Sequence, residues 1–384
     1  MPVALVIAAG IASALIWGYL LLARGGFWRL PVWHGPVWHG PVTRLAAIVP
    51  ARNEAEVIAR SVGSLLAQAG ASVRIFVVDD ASTDATAQLA REAARRDPAA
   101  LTVIQGAPLP PEWSGKLWAM QQGIEAASKL DPDFFLFTDA DILHAPDNLA
   151  CLVGVAQHGG YDLTSFMARL HCQTLAEKLL IPAFVFFFFK LYPPAWIADP
   201  RRRTAGAAGG CILLRPQALA RAGGLQSIRG EIIDDCALAR VVKRSGGKIW
   251  LGLADSASSL RCYASFAEIG RMVARTAFNQ LRHSALLLIA AVAGMAVTYL
   301  LPIALVCSGR PLPMALGAVA WAMMTLAYLP MVRHYRLNPL WALLLPVAAV
   351  FYMGATLVSA LKFWSGRGGQ WKGRVQDSRS SPGG

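Results

Sequence analysis

Leu45-Ala46-Ala47-Ile48-Val49-Pro50-Ala51-Arg52-Asn53-Glu54 reads as an apolar strand that empties into a polar loop. The pattern recurs along the chain. Residues 73–78 are apolar and run into Asp79-Asp80-Ala81-Ser82-Thr83-Asp84, and residues 101–104 form another short run. Residues 134–137 then lead into Thr138-Asp139-Ala140-Asp141. Helical stretches at 54–69 and 83–96 lie between these runs. Strand–helix alternation predicts an α/β domain with a mostly parallel sheet. Ligands of such sheets sit at the carboxyl ends of the strands, so polar clusters at several strand ends build one crevice.

Each cluster carries its own chemistry. Asp80 offers a carboxylate to a base or ribose, while Ser82, Thr83 and Asp84 also suit helix N-capping. No G-x-G-x-x-G or P-loop occurs, which excludes dinucleotide and Walker-type phosphate binding. Asp139 and Asp141 present two carboxylates just past a strand. Mg²⁺ or Mn²⁺ commonly bridges one or two carboxylates to substrate phosphates. D-x-D alone arises in turns by chance, and it gains weight as the third polar strand end of one sheet. Asp234-Asp235 precedes a helical segment, where one acid is expected to cap the helix and the other to face the crevice as a base. Lys116 follows a Gly turn and suits a diphosphate, the plain alternative being a solvated lysine.

Composition places this domain beside a membrane. Of 384 residues, 55% are hydrophobic and 15% charged, against about 25% charged in average soluble domains. That excludes a disordered chain, a coiled coil and an ordinary soluble enzyme. The net charge of +13 fits anionic lipid better than nucleic acid, because Lys and Arg gather beside apolar runs. The six cysteines form no CxxC or Cys/His cluster, which leaves structural zinc without support and fits a reduced compartment.

The expected organisation follows. Residues 1–23 form an N-terminal anchor, with no basic residue ahead of the apolar run and Arg24 and Arg29 behind it. Residues 24–43 are a linker whose PVWHG repeat places Trp33 and Trp38 at the interface, in preference to a metal pair at His34 and His39. Residues 44–280 are the cytoplasmic domain. Within it, 179–197 is expected to lie in the interface, because its uncharged run is too short to span. A buried core helix is the alternative. Residues 284–361 hold three apolar runs at 285–307, 313–332 and 340–361, and 362–384 form a basic tail. Three full crossings put the tail opposite the domain, whereas its charges place it on the cytoplasmic side. One run is therefore expected to be re-entrant, with Pro302, Pro311 and Pro313 marking the first two.

The segments IVPARNEAE, VVDDASTDAT, SGKLWAM, FTDAD, GGCILLRPQALARAGG and IDDCALARVVKRSGGKIW, in this order, resemble family 2 glycosyltransferases of the GT-A fold. ARGGFWR, APLPPEW, LLIPAFVFFFFKLYPP, DPRRRTA, MVARTAFNQLR and RGGQWKGR narrow the resemblance to bacterial hopene-associated glycosyltransferases. The resemblance implies a nucleotide-sugar donor, such as a UDP-sugar, and a lipid acceptor of hopanoid or polyprenyl type. It also implies inverting transfer, a divalent metal and a bacterial inner-membrane location. It assigns Asp80 to the base, with Pro50, Arg52 and Glu54 lining the same pocket. Asp139 and Asp141 hold the metal on the diphosphate beside Lys116. Asp235 stands at the catalytic base, after Asp234 where the family often has Glu. Gly209 and Gly210 border the acceptor side. Gln370, Trp371 and Arg374 are similar in composition, though not in order, to the Q-x-x-R-W element of related membrane enzymes. The alternatives are a nucleotidyltransferase, whose Gly-rich opening loop is missing here, and a non-catalytic assembly protein with a degenerate domain.

Overall fold

Eight strands make one mixed sheet: β1 (Thr43–Ala51), β2 (Ala71–Asp79), β3 (Leu101–Gln105), β4 (Phe134–Phe137), β5 (Ile142–His144), β6 (Leu163–Arg169), β7 (Ile212–Leu214) and β8 (Ile249–Ser259). Their order is β3-β2-β1-β4-β7-β6-β8-β5. The structure is a computed structural model that describes residues 3–33, 35, 37–366, 370–371 and 374–375. Strands β3, β2, β1 and β4 are parallel neighbours. Strand β7 runs antiparallel to both β4 and β6, β8 is parallel to β6, and β5 is antiparallel to β8. The expected α/β domain with a mostly parallel sheet is what forms.

The four apolar runs became β1 to β4 because central parallel strands are covered on both faces. Strand β1 is buried at every position except Arg44, and β4 throughout. Leu45, Ala47 and Val49 share a core with Ile58, Val62 and Leu65, whose spacing puts them on one face of helix Ile58–Leu66. Of the later strands only β5 is at an edge; β7, β6 and β8 lie between neighbours, and pairing with partners distant in sequence defines them.

Two compact units emerge from the contacts. One holds the sheet and comprises 31–171 and 196–262, with the hairpin Gln370–Trp371 and Arg374–Val375. Trp33 and Trp38, expected at the membrane interface, pack half-buried against the sheet core, and their rings each lie 6.4 Å from that of His158.

The other unit is helical: 1–30, 172–195 and 263–369. The segment 172–195, expected inside the domain at 44–280, groups with it. Among the described residues, five helices are long and apolar enough to cross a membrane: Ala4–Leu22, Leu175–Ala198, Ala285–Val306, Pro311–His334 and Pro339–Trp364. Pro302 lacks the N–H that would serve carbonyls one turn earlier, and the helix loosens into a π turn at Ala296–Leu300. The carbonyl of Thr298 accepts instead from Trp17 Nε1 at 2.8 Å, and that of Val297 from Ser13 Oγ at 3.4 Å. Trp17→Phe keeps most of the ring burial and strands the Thr298 carbonyl. A loss of about 1–3 kcal/mol is expected, read as a lower thermal midpoint of the full chain in detergent.

Candidate active site

Two loops, after β1 and after β2, are stitched together. Asn53 N donates to Ser82 Oγ at 2.9 Å and Thr83 N to Asn53 Oδ1 at 2.8 Å. Glu54 N donates to Thr86 Oγ1 at 2.8 Å, and Ala55 N to Asp84 Oδ2 at 3.1 Å. Ser82 and Thr83 therefore serve the neighbouring loop, not the following helix. Asp84 does both, since it also accepts from Thr86 N at 3.0 Å. Asn53 and Ala81 take positive φ, 51° each, a conformation costly for residues with a Cβ. The stitched loops hold Asp80 buried beside Arg52, with Arg52 Nη1 3.5 Å from Asp80 Oδ2.

A narrow cleft opens at the carboxyl ends of β1 and β4. Pro50, Lys116, Thr138, Asp139, Gly209, Asp234 and Asp235 line it, over an apolar floor of Leu117, Met120, Phe137, Ile212 and Leu238. Lys116 stands in the first turn of helix Gly115–Ser128, which Ser114 caps. Its Nζ lies 2.9 Å from Asp139 Oδ1 and 3.0 Å from Asp234 Oδ2. Burial opposes its charge, but the three carboxylates of Asp139, Asp234 and Asp235 outweigh burial and drive its pKa up. The plain solvated lysine is excluded by this setting.

Asp235 faces the same cleft. Its Oδ2 accepts from Gly209 N at 2.9 Å and its Oδ1 from Cys236 N at 2.7 Å. Burial and the adjacent Asp234 raise its pKa to about 6, against the pull of Lys116 and the two backbone N–H groups. The expectation that one acid caps the helix is corrected. Helix Asp234–Arg244 has Ile233 at its N-cap and no side-chain cap bond. Both acids sit inside the first turn instead, where the helix dipole favours negative charge. Gly209 packs closely here: a Cβ would stand 3.3 Å from Lys116 Nζ, which would have to give by a few tenths of an ångström, and 3.4 Å from Asp235 Oδ2.

The remaining predicted residues divide. Arg52, Glu54, Asp80, Asp141 and Gly210 are not among the lining residues of the cleft. Glu54 and Asp141 meet at Arg261, a residue not singled out from the sequence. Arg261 Nε is 2.7 Å from Asp141 Oδ2, and its Nη2 is 3.1 Å from Glu54 Oε1. Its only sequence signal is its place at the end of β8, whose pairing with β5 was not legible. Gly210 turns its carbonyl to Thr138 Oγ1 at 2.8 Å. Gln370–Trp371 and Arg374–Val375 pair with each other as a short antiparallel hairpin. His34, Lys372, Gly373 and the tail beyond Val375 lie outside the described residues.

A buried polar row runs beneath β4 and β5. His144 is 3% exposed, and burial lowers its pKa to about 4, so the ring is neutral. Its Nε2 is 3.0 Å from Thr138 Oγ1 and its Nδ1 is 2.9 Å from Asn148 Nδ2. Ser256 Oγ donates to Asn148 Oδ1 at 2.7 Å.

Of the two carboxylates expected to hold a divalent metal, Asp139 lines the cleft beside Lys116, whereas Asp141 lies outside its lining and pairs with Arg261. Among the described residues, no group of three or more His, Cys, Asp or Glu side chains is placed to hold a metal ion. One or two carboxylates completed by substrate phosphates suffice for Mg²⁺, so Asp139 is the donor in the cleft that would meet a metal arriving with a diphosphate.

Known proteins resemble this chain in a family match over part of its length and in fold. Residues 46–221 match the family described as "Glycosyl transferase family 2". A mannosyltransferase of Pyrobaculum calidifontis, solved with GDP-Man and Mn²⁺, is 20% identical with a TM-score of 0.60, and the match covers 94% of this chain and 99% of that one. Glucosyl-3-phosphoglycerate synthase of Mycobacterium tuberculosis, solved with Mn²⁺, UDP and glucosyl-3-phosphoglycerate, is 21% identical with a TM-score of 0.41, over 63% of this chain and 83% of that one. No curated protein matches the chain. The family match runs from within β1 to just past β7 and carries the Pro50, Lys116, Asp139 and Gly209 side of the cleft, with Asp234 and Asp235 beyond it, and the fold of the chain is GT-A-like.

Proposed function

We propose that this protein moves a sugar from a nucleotide sugar to a lipid hydroxyl at a membrane surface, with inversion at the anomeric carbon. The observation that carries the proposal is the cleft itself. A half-buried lysine is clamped by Asp139 and Asp234, next to an aspartate whose pKa is raised to about 6. A carboxylate with a pKa near neutrality suits a general base. Asp235 takes the proton from the acceptor hydroxyl as its oxygen bonds to the anomeric carbon. The bond from that carbon to the diphosphate breaks on the opposite face. Lys116 neutralises charge developing on the leaving diphosphate. Asp139, with Asp141, would hold a divalent cation, which supplies further Lewis-acid stabilisation of that diphosphate when bound. Asp80, Arg52 and Pro50 serve the nucleotide end, Gly209 and Gly210 the acceptor end.

The five apolar helices support a membrane-borne acceptor. The sheet supports an interfacial or re-entrant course for the segment at 179–197. Strand β6 precedes this segment, β7 and β8 follow it, and all three pair in one sheet. One full crossing between them would split the sheet across the bilayer. Basic flanks favour a cytoplasmic face of a bacterial inner membrane for the domain, and the acceptor is hopanoid-related or polyprenyl in type.

The test is nucleoside diphosphate release by the full chain in detergent. A panel of UDP- and GDP-sugars is offered with Mg²⁺ or Mn²⁺, with and without hopanoid and polyprenyl lipids. Release that needs one sugar nucleotide and one lipid is the expected result. No release from any pair, together with no Mn²⁺-dependent binding of UDP or GDP, would sink the proposal.

A further inference from the structure

Ser256, Asn148, His144 and Thr138 take no part in the transfer described above, yet with Gly210 they form a row that reaches the cleft at Thr138 and ends beside Gly209, which lines it. A hydroxyl has one proton to give. That of Thr138 points to Gly210 O at 2.8 Å, since its other acceptor, Asp139 O, is 3.5 Å away. Thr138 Oγ1 must then accept from the ring of His144 at 3.0 Å, which puts the imidazole proton on Nε2. Nδ1 is left bare and accepts from Asn148 Nδ2 at 2.9 Å. In that orientation of the amide, Ser256 Oγ donates to Asn148 Oδ1 at 2.7 Å. All the bonds run in one direction.

The row terminates where the chemistry sits. Thr138 is the chain neighbour of Asp139. Gly210 is the chain neighbour of Gly209, whose N–H holds Asp235 Oδ2 at 2.9 Å. We propose that His144, as the Nε2–H tautomer, is a positioning residue that ties the Asp139 loop to the Gly209 loop through Thr138 and so keeps the Gly209 N–H on Asp235. The role in catalysis rests on Asp235 as the general base, whereas the tautomer does not. A histidine serving only to fill space would need no matched partners at both ring nitrogens.

Two readouts test it. In the full chain carrying ¹⁵N-histidine, with His144 assigned by its loss in His144→Gln, NMR should show a protonated Nε2 and a bare Nδ1 between about pH 6 and about pH 8. A proton on Nδ1 overturns the proposal whatever the activity. In the transfer assay, loosening the Gly209 N–H removes a bond that favours ionised Asp235. His144→Leu and Thr138→Val should each move the acid limb of kcat/KM upward by roughly half a pH unit or more. The double variant should match either single one, because both cut one row. His144→Gln, whose amide can donate to Thr138 and accept from Asn148, and Thr138→Ser should keep the limb in place. An unmoved limb in both His144→Leu and Thr138→Val overturns the proposal, as does an equal shift in the conservative variants. Should His144→Leu fail to fold, Thr138→Val carries the comparison. Wild-type protein without any transfer would count against the proposed function, while the NMR result would still decide the row.

Discussion

Asp235→Asn is expected to lower kcat for sugar transfer by roughly 10²–10⁴-fold, the usual contribution of a general base, with nucleotide binding retained. The substitution is close to isosteric, and an amide oxygen can still accept from Gly209 N or Cys236 N. It removes a buried charge that lies against Asp234, so the thermal midpoint should not fall. Loss of rate without loss of stability separates a chemical role from a structural one. In the wild type, Asp235 must be ionised to accept a proton. Activity should therefore fall as pH drops through about 6, the level to which burial and Asp234 raise it. The acid limb of kcat/KM reports this in the free enzyme, and it should be absent from the residual activity of Asp235→Asn. Full transfer by that variant would defeat the assignment.

Lys116→Met should have the largest effect on the fold of the domain and on the rate together. The side chain fits the space but leaves Asp139, Asp234 and Asp235 facing one another without their cation. Breaking a fully buried ion pair from one side costs about 3–5 kcal/mol, and the cost here should be smaller because Asp139 is 38% exposed and screened by solvent. Removing the cation also removes a pull that lowers the Asp235 pKa, so the acid limb should move above its wild-type position. The sign for stability is the same. Asp235 already titrates higher folded than unfolded, and without Lys116 more so, so its protonation favours the fold of the variant. The deficit should shrink as pH falls towards 5 and widen as pH rises through the folded pKa of Asp235. Thermal melts of both proteins across that range check this. A deficit independent of pH would mean that the lysine acts by packing alone.

These two residues show how much of the site was legible beforehand. Pro50, Lys116, Asp139, Gly209, Asp234 and Asp235 were all singled out from strand-end clusters or the family resemblance, and all line one cleft. Their short polar loops each follow an apolar run, so the sequence marks both the strand and its end. Arg261 was missed because its partners, Glu54 and Asp141, are brought to it by the pairing of β8 with β5. Nothing local announces that register. His144 was missed for the same reason. It sits in a strand of three residues, Ile142–His144, too short to carry a period, and its meaning lies in contacts with Thr138 and Asn148. The tryptophans of the repeat were placed at the interface because an indole beside an apolar helix looks the same whether lipid or protein covers it.

Sequence alone determined the parallel half of the sheet, the apolar helices and the identity of the charged groups. Apolar runs bounded by polar loops have one good solution, burial on both faces with the loops at one edge. The tertiary structure alone decided the antiparallel half, the clamp on Lys116, the row through His144 and the division of 172–195 from its sequence neighbours. Each of these is a pairing between residues far apart in the chain. Such pairings depend on which surfaces are left uncovered once local structure has formed, and no stretch of sequence carries that information by itself.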